Sequence, residues 1–242
     1  GDSEASAALA SLVSDEDPVV AGAAIEALAL AGDGTAVDAL VTAAARGDEG
    51  RRAAALQTLT QMGADNVCGA LLARLKEADA AETAAIAKVL GERKDDAVGP
   101  ALRELVQSED ADVRLTALQA LAGVGTIADA DLLCGVLERA VTAKERAAAT
   151  RALTMIGNRL QAPPPFVDAV SRALATSNVP VRCAMLDVCG SVANPALLQA
   201  LNDATADADA AVRDAAIRAL AGSTNPDALP LLIAMLETTH ER

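Results

Sequence analysis

Aromatic side chains are almost absent from this 242-residue chain, which has no Trp, no Tyr and a single Phe, Phe166. A core without rings must be filled by Ala, Leu, Val and Ile, and apolar residues still make up 52% of the sequence. Ala and Leu are strong helix formers, and Ala lets helix axes approach closely, so the composition predicts an all-α fold. The shortage of rings also removes the platforms on which bases stack. Basic residues are scarce too: 20 Lys and Arg face 34 Asp and Glu, for a net charge of −14. Such a surface repels phosphates, so no nucleic-acid partner is expected. The longest apolar candidate, residues 19–31, is interrupted by Glu26 and falls short of the roughly 18–20 residues that cross a bilayer, so no membrane insertion is expected. The N-terminus lacks the basic region of a signal peptide, and Gly1 reads as a cleavage scar. A soluble protein of the cytoplasm or periplasm is the resulting expectation.

Chemistry is limited by what is missing. There is one histidine, His240, in the terminal Thr-His-Glu-Arg, so no Ser or Cys in the body of the chain has a His to serve as base. The four cysteines, Cys68, Cys134, Cys183 and Cys189, form no CxxC, which leaves them as small buried hydrophobes rather than metal ligands. Gly123-Val-Gly125-Thr-Ile-Ala128 imitates a dinucleotide fingerprint, but that motif needs a preceding strand, and here a helix precedes it. Carboxylate pairs such as Asp95-Asp96 and Glu109-Asp110 fall in inter-helix loops, where they suit helix N-termini. No catalytic residue, metal site or cofactor is expected.

What the sequence does contain is a repeat. Asp110-Ala-Asp-Val-Arg114 leads to Ala117, Leu121 and Gly125, and Asp209-Ala-Ala-Val-Arg213 leads to Ala216 and Leu220 without a gap. Extending this register gives a column of helix caps: Asp17, Asp48, Asp79, Asp110, Thr142, Asn178 and Asp209. The steps between them are 31, 31, 31, 32, 36 and 31 residues. Seven residues past each cap stand Ala24, Ala55, Ile86, Ala117, Ala149, Met185 and Ala216; eleven past stand Leu28, Leu59, Leu90, Leu121, Leu153, Cys189 and Leu220. Offsets of seven and eleven share one helical face, so each repeat opens with a helix carrying an apolar stripe. That helix is expected to end near Gly32, Gly63, Gly125 and Gly157. A second helix follows, marked at offset 23 by Leu40, Leu71, Leu102, Leu133, Leu201 and Leu232; in the fifth repeat five extra residues around Pro163-Pro164-Pro165 move Val170 into that place. Leu9 lies 31 before Leu40, so residues 3–14 read as a half repeat. The expectation is a single domain over residues 1–242, with about seven two-helix units after that half repeat, and a fragment of a longer protein.

The pattern D-x-x-V-R-x-x-A-x-x-A-L, a Gly turn and A-x-P-x-L resembles the HEAT repeat, above all its short bacterial form, first described in phycobilisome lyases. Units near 31 residues are shorter than the roughly 40–47 of eukaryotic HEAT units, and the ankyrin and TPR signatures are missing. The resemblance implies a HEAT-like α-α superhelix, an α-solenoid, with first helices outside and second helices on a concave inner side. It also implies an interaction scaffold; an accessory or lyase-like enzyme subunit and a structural spacer are the alternatives. Hydroxylases of this class hold two irons through several His-Glu pairs; His240-Glu241 is a single such pair, and one His cannot hold two irons, so that activity is not expected. Fold of this kind does not dictate function.

Two sets of polar residues stand out in this register. Four past the caps come Arg52, Arg114, Arg146, Arg182 and Arg213, with Ala21 and Thr83 breaking the column. These arginines are expected to form a structural ladder between neighbouring repeats, bonding Asp side chains or loop carbonyls. On the second helices, offsets 24 and 25 gather Arg103, Glu104, Arg172, Asn202 and Asp203, the expected docking place of a protein or of a flanking domain on a monomeric chain. A further set, Arg46, Arg74, Arg103, Arg139 and Arg172, shares no face, so an anion-binding stripe is not expected. The Pro163–Pro165 segment is either a kink in the stack or a contact site.

Overall fold

Each cap column residue starts a helix in the computed structural model, which describes residues 2–31, 34–63, 67–93, 95–140, 142–176, 178–223 and 225–240. Those residues contain no strand. The chain forms two compact units, residues 1–124 and 125–242.

In the first unit, α1 (Asp2–Leu12) is the half repeat. First and second helices then alternate: α2 (Pro18–Ala31) and α3 (Gly34–Arg46), α4 (Glu49–Gln61) and α5 (Val67–Leu75), α6 (Ala80–Arg93) and α7 (Gly99–Leu105), and finally α8 (Ala111–Val124). In the second unit come α9 (Ala130–Arg139), α10 (Ala143–Arg159) with α11 (Pro164–Leu174), α12 (Val179–Ser191) with α13 (Pro195–Ala204), and α14 (Ala210–Ala221) with α15 (Ala228–His240). Within each unit, helices pack on their counterparts one repeat away: α2 on α4, α4 on α6, α6 on α8, and α10 on α12, α12 on α14.

The apolar columns are the core. All seven residues at offset seven are at most 3% exposed, and all seven at offset eleven at most 2%. At offset 23, Leu40, Leu71, Leu102, Leu133, Val170 and Leu201 are fully buried. A lone helix pair could not hide these rows; each hides them against its neighbours.

Polar groups close the helix starts. Asp17 accepts from the Val19 amide at 2.8 Å, Asp48 from Arg51 at 2.9 Å, and Asp79 from Glu82 at 3.0 Å. Asp110 accepts from Val113 at 3.0 Å, Thr142 from Glu145 at 3.1 Å, Asn178 from Val181 at 3.3 Å, and Asp209 from Ala211 at 2.8 Å. Every one satisfies an amide that the helix itself leaves unpaired. A second column, two residues earlier, was not foreseen: Asp15, Ser108, Thr176 and Asp207 accept from the cap residue's own amide and turn the chain into the helix.

One expectation about breaks in the pattern needs correction. Gly157 does not end its helix: α10 runs on to Arg159, and Gly157 is a buried interior position. Its missing side chain makes room for the Phe166 ring. Gly32 lies outside the described residues. At the Pro163–Pro165 segment, Pro164 and Pro165 are exposed, while the flanking Ala162 and Phe166 are buried. Gln161 and Ala162 take left-handed backbone conformations, with φ of 57° and 39°, and the Ala162 amide returns to the Gly157 carbonyl at 2.8 Å. Ala162 is buried, and Asn194 Nδ2 donates to its carbonyl at 3.1 Å.

Candidate functional site

The second helices carry the expected docking residues beside their buried rows. On α7, Leu102 is fully buried, Arg103 is half-buried with its guanidinium over Gly99, and Glu104 is exposed. In the second unit, Arg172 on α11 is exposed and pairs with Asp131 on α9, Nη2 to Oδ1, at 2.5 Å. On α13, Asn202 is half-buried and its carbonyl accepts from Thr205 Oγ1 at 2.7 Å, while the exposed Asp203 accepts from Gln199 Nε2 at 2.8 Å. The structure therefore brings Arg103 and Glu104 together on one helix of the first unit. It sets Arg172 and Asn202 with Asp203 on two packed helices, α11 and α13, of the second.

The first-helix arginines bond loop carbonyls and, in one case, an Asp side chain. Arg114 Nη1 donates to the carbonyls of Ser108 and Glu109, both at 2.8 Å, and Arg213 Nη1 to those of Asp207 at 2.7 Å and Ala208 at 2.9 Å. Arg146 reaches Ala140 O at 3.0 Å, and Arg52 reaches Gly47 O at 3.4 Å. All of these carbonyls belong to the loop that leads into the arginine's own helix. Side chains on a helix lean toward its N-terminus, so an arginine in the first turn meets its entry loop first. Arg182 instead forms a two-pronged pair with the carboxylate of Asp207, two residues before the following cap. The Arg182 guanidinium, then the Asp209 amide, holds the Asp207 carboxyl below the ordinary aspartate range.

Further bonds between repeats come from residues outside the offset-four column. Arg93, at the end of α6, donates through Nη1 to the carbonyls of Leu59 at 2.8 Å, Thr60 at 3.1 Å and Met62 at 2.8 Å, closing the C-terminus of α4. Arg159 reaches the Gly125 carbonyl, and Arg51 Nη2 reaches Asp15 O at 2.6 Å. Glu82 is buried and draws two cations: Arg74 Nη2 lies 2.7 Å and Arg46 Nη2 3.3 Å from its carboxylate. Arg46 also pairs with Asp79 at 2.5 Å. The Glu82 amide, then Arg46, holds the Asp79 carboxyl below its usual range. The only sequence signal for this knot was an acid three residues past a cap.

Cys68, Cys134 and Cys189 are buried and Cys183 half-buried, all unbridged. Burial pushes the Cys134 and Cys189 thiols up to about 12, far from a reactive thiolate. The side chain of His240, and Glu241, lie outside the described residues, as does the side chain of Asp96; Asp95 accepts from the Ala97 amide at 2.9 Å. Among the described residues there is no grouping of three metal-ligating side chains, and no helix is long and apolar enough to cross a membrane.

Against known proteins, a sequence model described as HEAT repeats matches residues 1–60, 69–154 and 167–242. No curated protein matches the chain. Among solved structures, it is similar to the complex of CpcE and CpcF of phycocyanin lyase from Nostoc, at 20% identity over 95% of this chain and 94% of that one, with a TM-score of 0.44. It is similar to YibA of Escherichia coli at 19% identity over 98% and 89%, with a TM-score of 0.49. Kap95p, in a structure with RanGDP, gives a TM-score of 0.55 at 13% identity over 90% of this chain and 34% of that one. At such identities the likeness is one of fold.

Proposed function

Because the chain belongs to the HEAT-repeat family, we propose that it is a non-catalytic scaffold that holds another protein on the exposed faces of its second helices. One observation carries this reading. The buried rows fix α7, α11 and α13 by stacking, while Glu104, Arg172 and Asp203, each two residues past Leu102, Val170 and Leu201, stay exposed on them. Because these helices are already fixed, docking orders side chains but no backbone. Each unit offers its own patch: Arg103 and Glu104 on the first, Arg172, Asn202 and Asp203 on the second. Both mix signs, which suits a partner surface of mixed charge and suits specificity more than raw affinity.

The test is capture of a partner on the immobilised chain, followed by affinity measurements with Arg103→Glu, Arg172→Glu and the double variant. Each single change is expected to weaken binding several-fold and the pair about tenfold or more. Affinity for an identified partner that ignores the double variant would sink the assignment of the patches. A purified chain that carries a bound chromophore, seen as visible absorbance, would contradict the non-catalytic reading.

A further inference from the structure

The first helices keep one stripe clear of the stacking. Offsets two and nine are exposed in all seven of them, while offsets seven and eleven are buried. Residues at offsets two, five, nine and thirteen share one face of a helix, so each stripe presents four side chains. Six of these stripes are neutral or acidic in sum, as suits a chain of net charge −14. Where they hold a cation it has an acid one turn away: Glu92 follows Lys88, and Asp214 precedes Arg218. The stripe of α10 differs. It reads Lys144, Ala147, Arg151 and Met155, two cations and no acid, and all four residues are exposed.

The fold makes no use of this pair. Among the described residues, the side chains of Lys144 and Arg151 form no ion pair or hydrogen bond. Their neighbours on the same helix do: Arg146 reaches the Ala140 carbonyl and Arg159 that of Gly125. Lys144 also stands in the first turn of α10, where the helix dipole favours an acid and disfavours a cation. Packing, capping and dipole therefore leave both cations unexplained. A single exposed Lys or Met needs no reason, but two unpaired cations and an apolar end in one register do.

We infer that this face of α10 docks an acidic amphipathic helix of a partner protein. Charge complementarity defines the occupant. Lys144 and Arg151 are seven residues apart, about 10.5 Å along the helix axis. A partner helix answers them with two carboxylates at the same spacing, and the Arg151 fork takes its carboxylate through two parallel bonds. Met155, four residues on, then meets an apolar side chain one turn beyond the second acid. A lipid surface fits less well. Anionic bilayers are held by clusters of about four to eight Lys or Arg, and this face has two, on a chain of net charge −14. The face lies on a first helix, apart from the second-helix patches of Arg103 and Arg172, and its test separates the two.

The full chain is immobilised, and its captured proteins are treated with a carbodiimide, which joins a lysine amine directly to a carboxylate. The expected product links Lys144 to an Asp or Glu of a helical segment with a second acid seven residues away. Affinity for that purified partner falls at least about tenfold for the double variant Lys144→Glu, Arg151→Glu. Lys144→Arg keeps the affinity and removes the crosslink, and Arg103→Glu, Arg172→Glu leaves the crosslink in place. The charge-reversed chain holds or raises its unfolding midpoint, because an acid suits the first turn, so lost binding is not lost fold. The inference is overturned if no protein is crosslinked at Lys144, or if affinity ignores the double charge reversal. Binding to vesicles of phosphatidylcholine and phosphatidylserine in equal parts that the double variant abolishes would overturn it in favour of lipid. Self-association in sedimentation that the same variant abolishes would overturn it in favour of a second copy.

Discussion

Replacing Phe166 by alanine is expected to cost the second unit about 3–5 kcal/mol, the range for emptying a buried phenylalanine site. Phe166 is fully buried in the first turn of α11, and its ring sits in the notch left by Gly157 on α10. A methyl group built on Gly157 would fall 2.8 Å from Cζ of that ring and 3.0 Å from Cγ2 of Val192, just past α12. Three helices therefore meet around it. The matching positions of the other repeats hold Ala36, Val67, Val98, Asp129, Leu197 and Ala228, all at most 2% exposed. None needs a ring, because none follows a five-residue insertion. The longer α10 and the Gln161–Ala162 turn open a wider gap, and the one aromatic of the chain fills it. With no Trp or Tyr as reporter, urea unfolding is followed by far-UV circular dichroism. Exchange protection should fall in α10, α11 and α12 while α2 and α4 keep theirs, because repeat arrays feel a change mainly in adjacent units. A loss under about 1 kcal/mol would contradict this account of the ring.

Gly91→Ala is expected to destabilise the first unit by about 1–3 kcal/mol, against the sign of helix propensity. In an exposed helix interior the same change gains up to about 1 kcal/mol. Gly91 lies in α6, where a Cβ would stand 2.5 Å from both Cα and Cβ of Ala120 on α8. Backbone cannot swing aside as a flexible side chain can, so the two helices must separate along their length. The second unit repeats the device, with Gly190 on α12 facing the Ala219 carbonyl at 2.6 Å from a built Cβ. Adding Ala120→Gly should restore only part of the loss, since the new methyl still meets the backbone of residue 120. An unfolding midpoint that rises in Gly91→Ala would refute the close approach.

The stack was legible because each structural demand is stated about seven times. A single Leu at offset eleven means little, but seven apolar residues at that offset leave one solution, and all seven are buried. The family assignment followed from the same columns. Contacts made by long side chains were less legible. Arg114 and Arg182 occupy the same offset, yet one bonds the loop before its own helix and the other the carboxylate of Asp207. The difference lies in the residue two before the next cap, a position whose role shows only once the turns are folded. Gly157 resembled the helix-ending glycines because sequence shows where a side chain is missing, not what fills the space. In sequence Glu82 is only an acid three residues past a cap; the convergence of Arg74 and Arg46 on it shows only in the fold. Of the proposed patch residues, Glu104, Arg172 and Asp203 are exposed while Arg103 and Asn202 are half-buried, and the Arg172–Asp131 pair joins residues 41 apart that no register relates.

The central claim is that identical stacking faces, rather than one shared core, hold the chain together. Excising residues 79–109 tests it most directly, because this removes one complete 31-residue unit and rejoins the chain cap to cap. The account predicts a shortened protein with the same helical ellipticity per residue and a cooperative urea transition, since repeat two then meets repeat four through the same offsets. A collapsed or largely unfolded product that has lost its helical signal would contradict it.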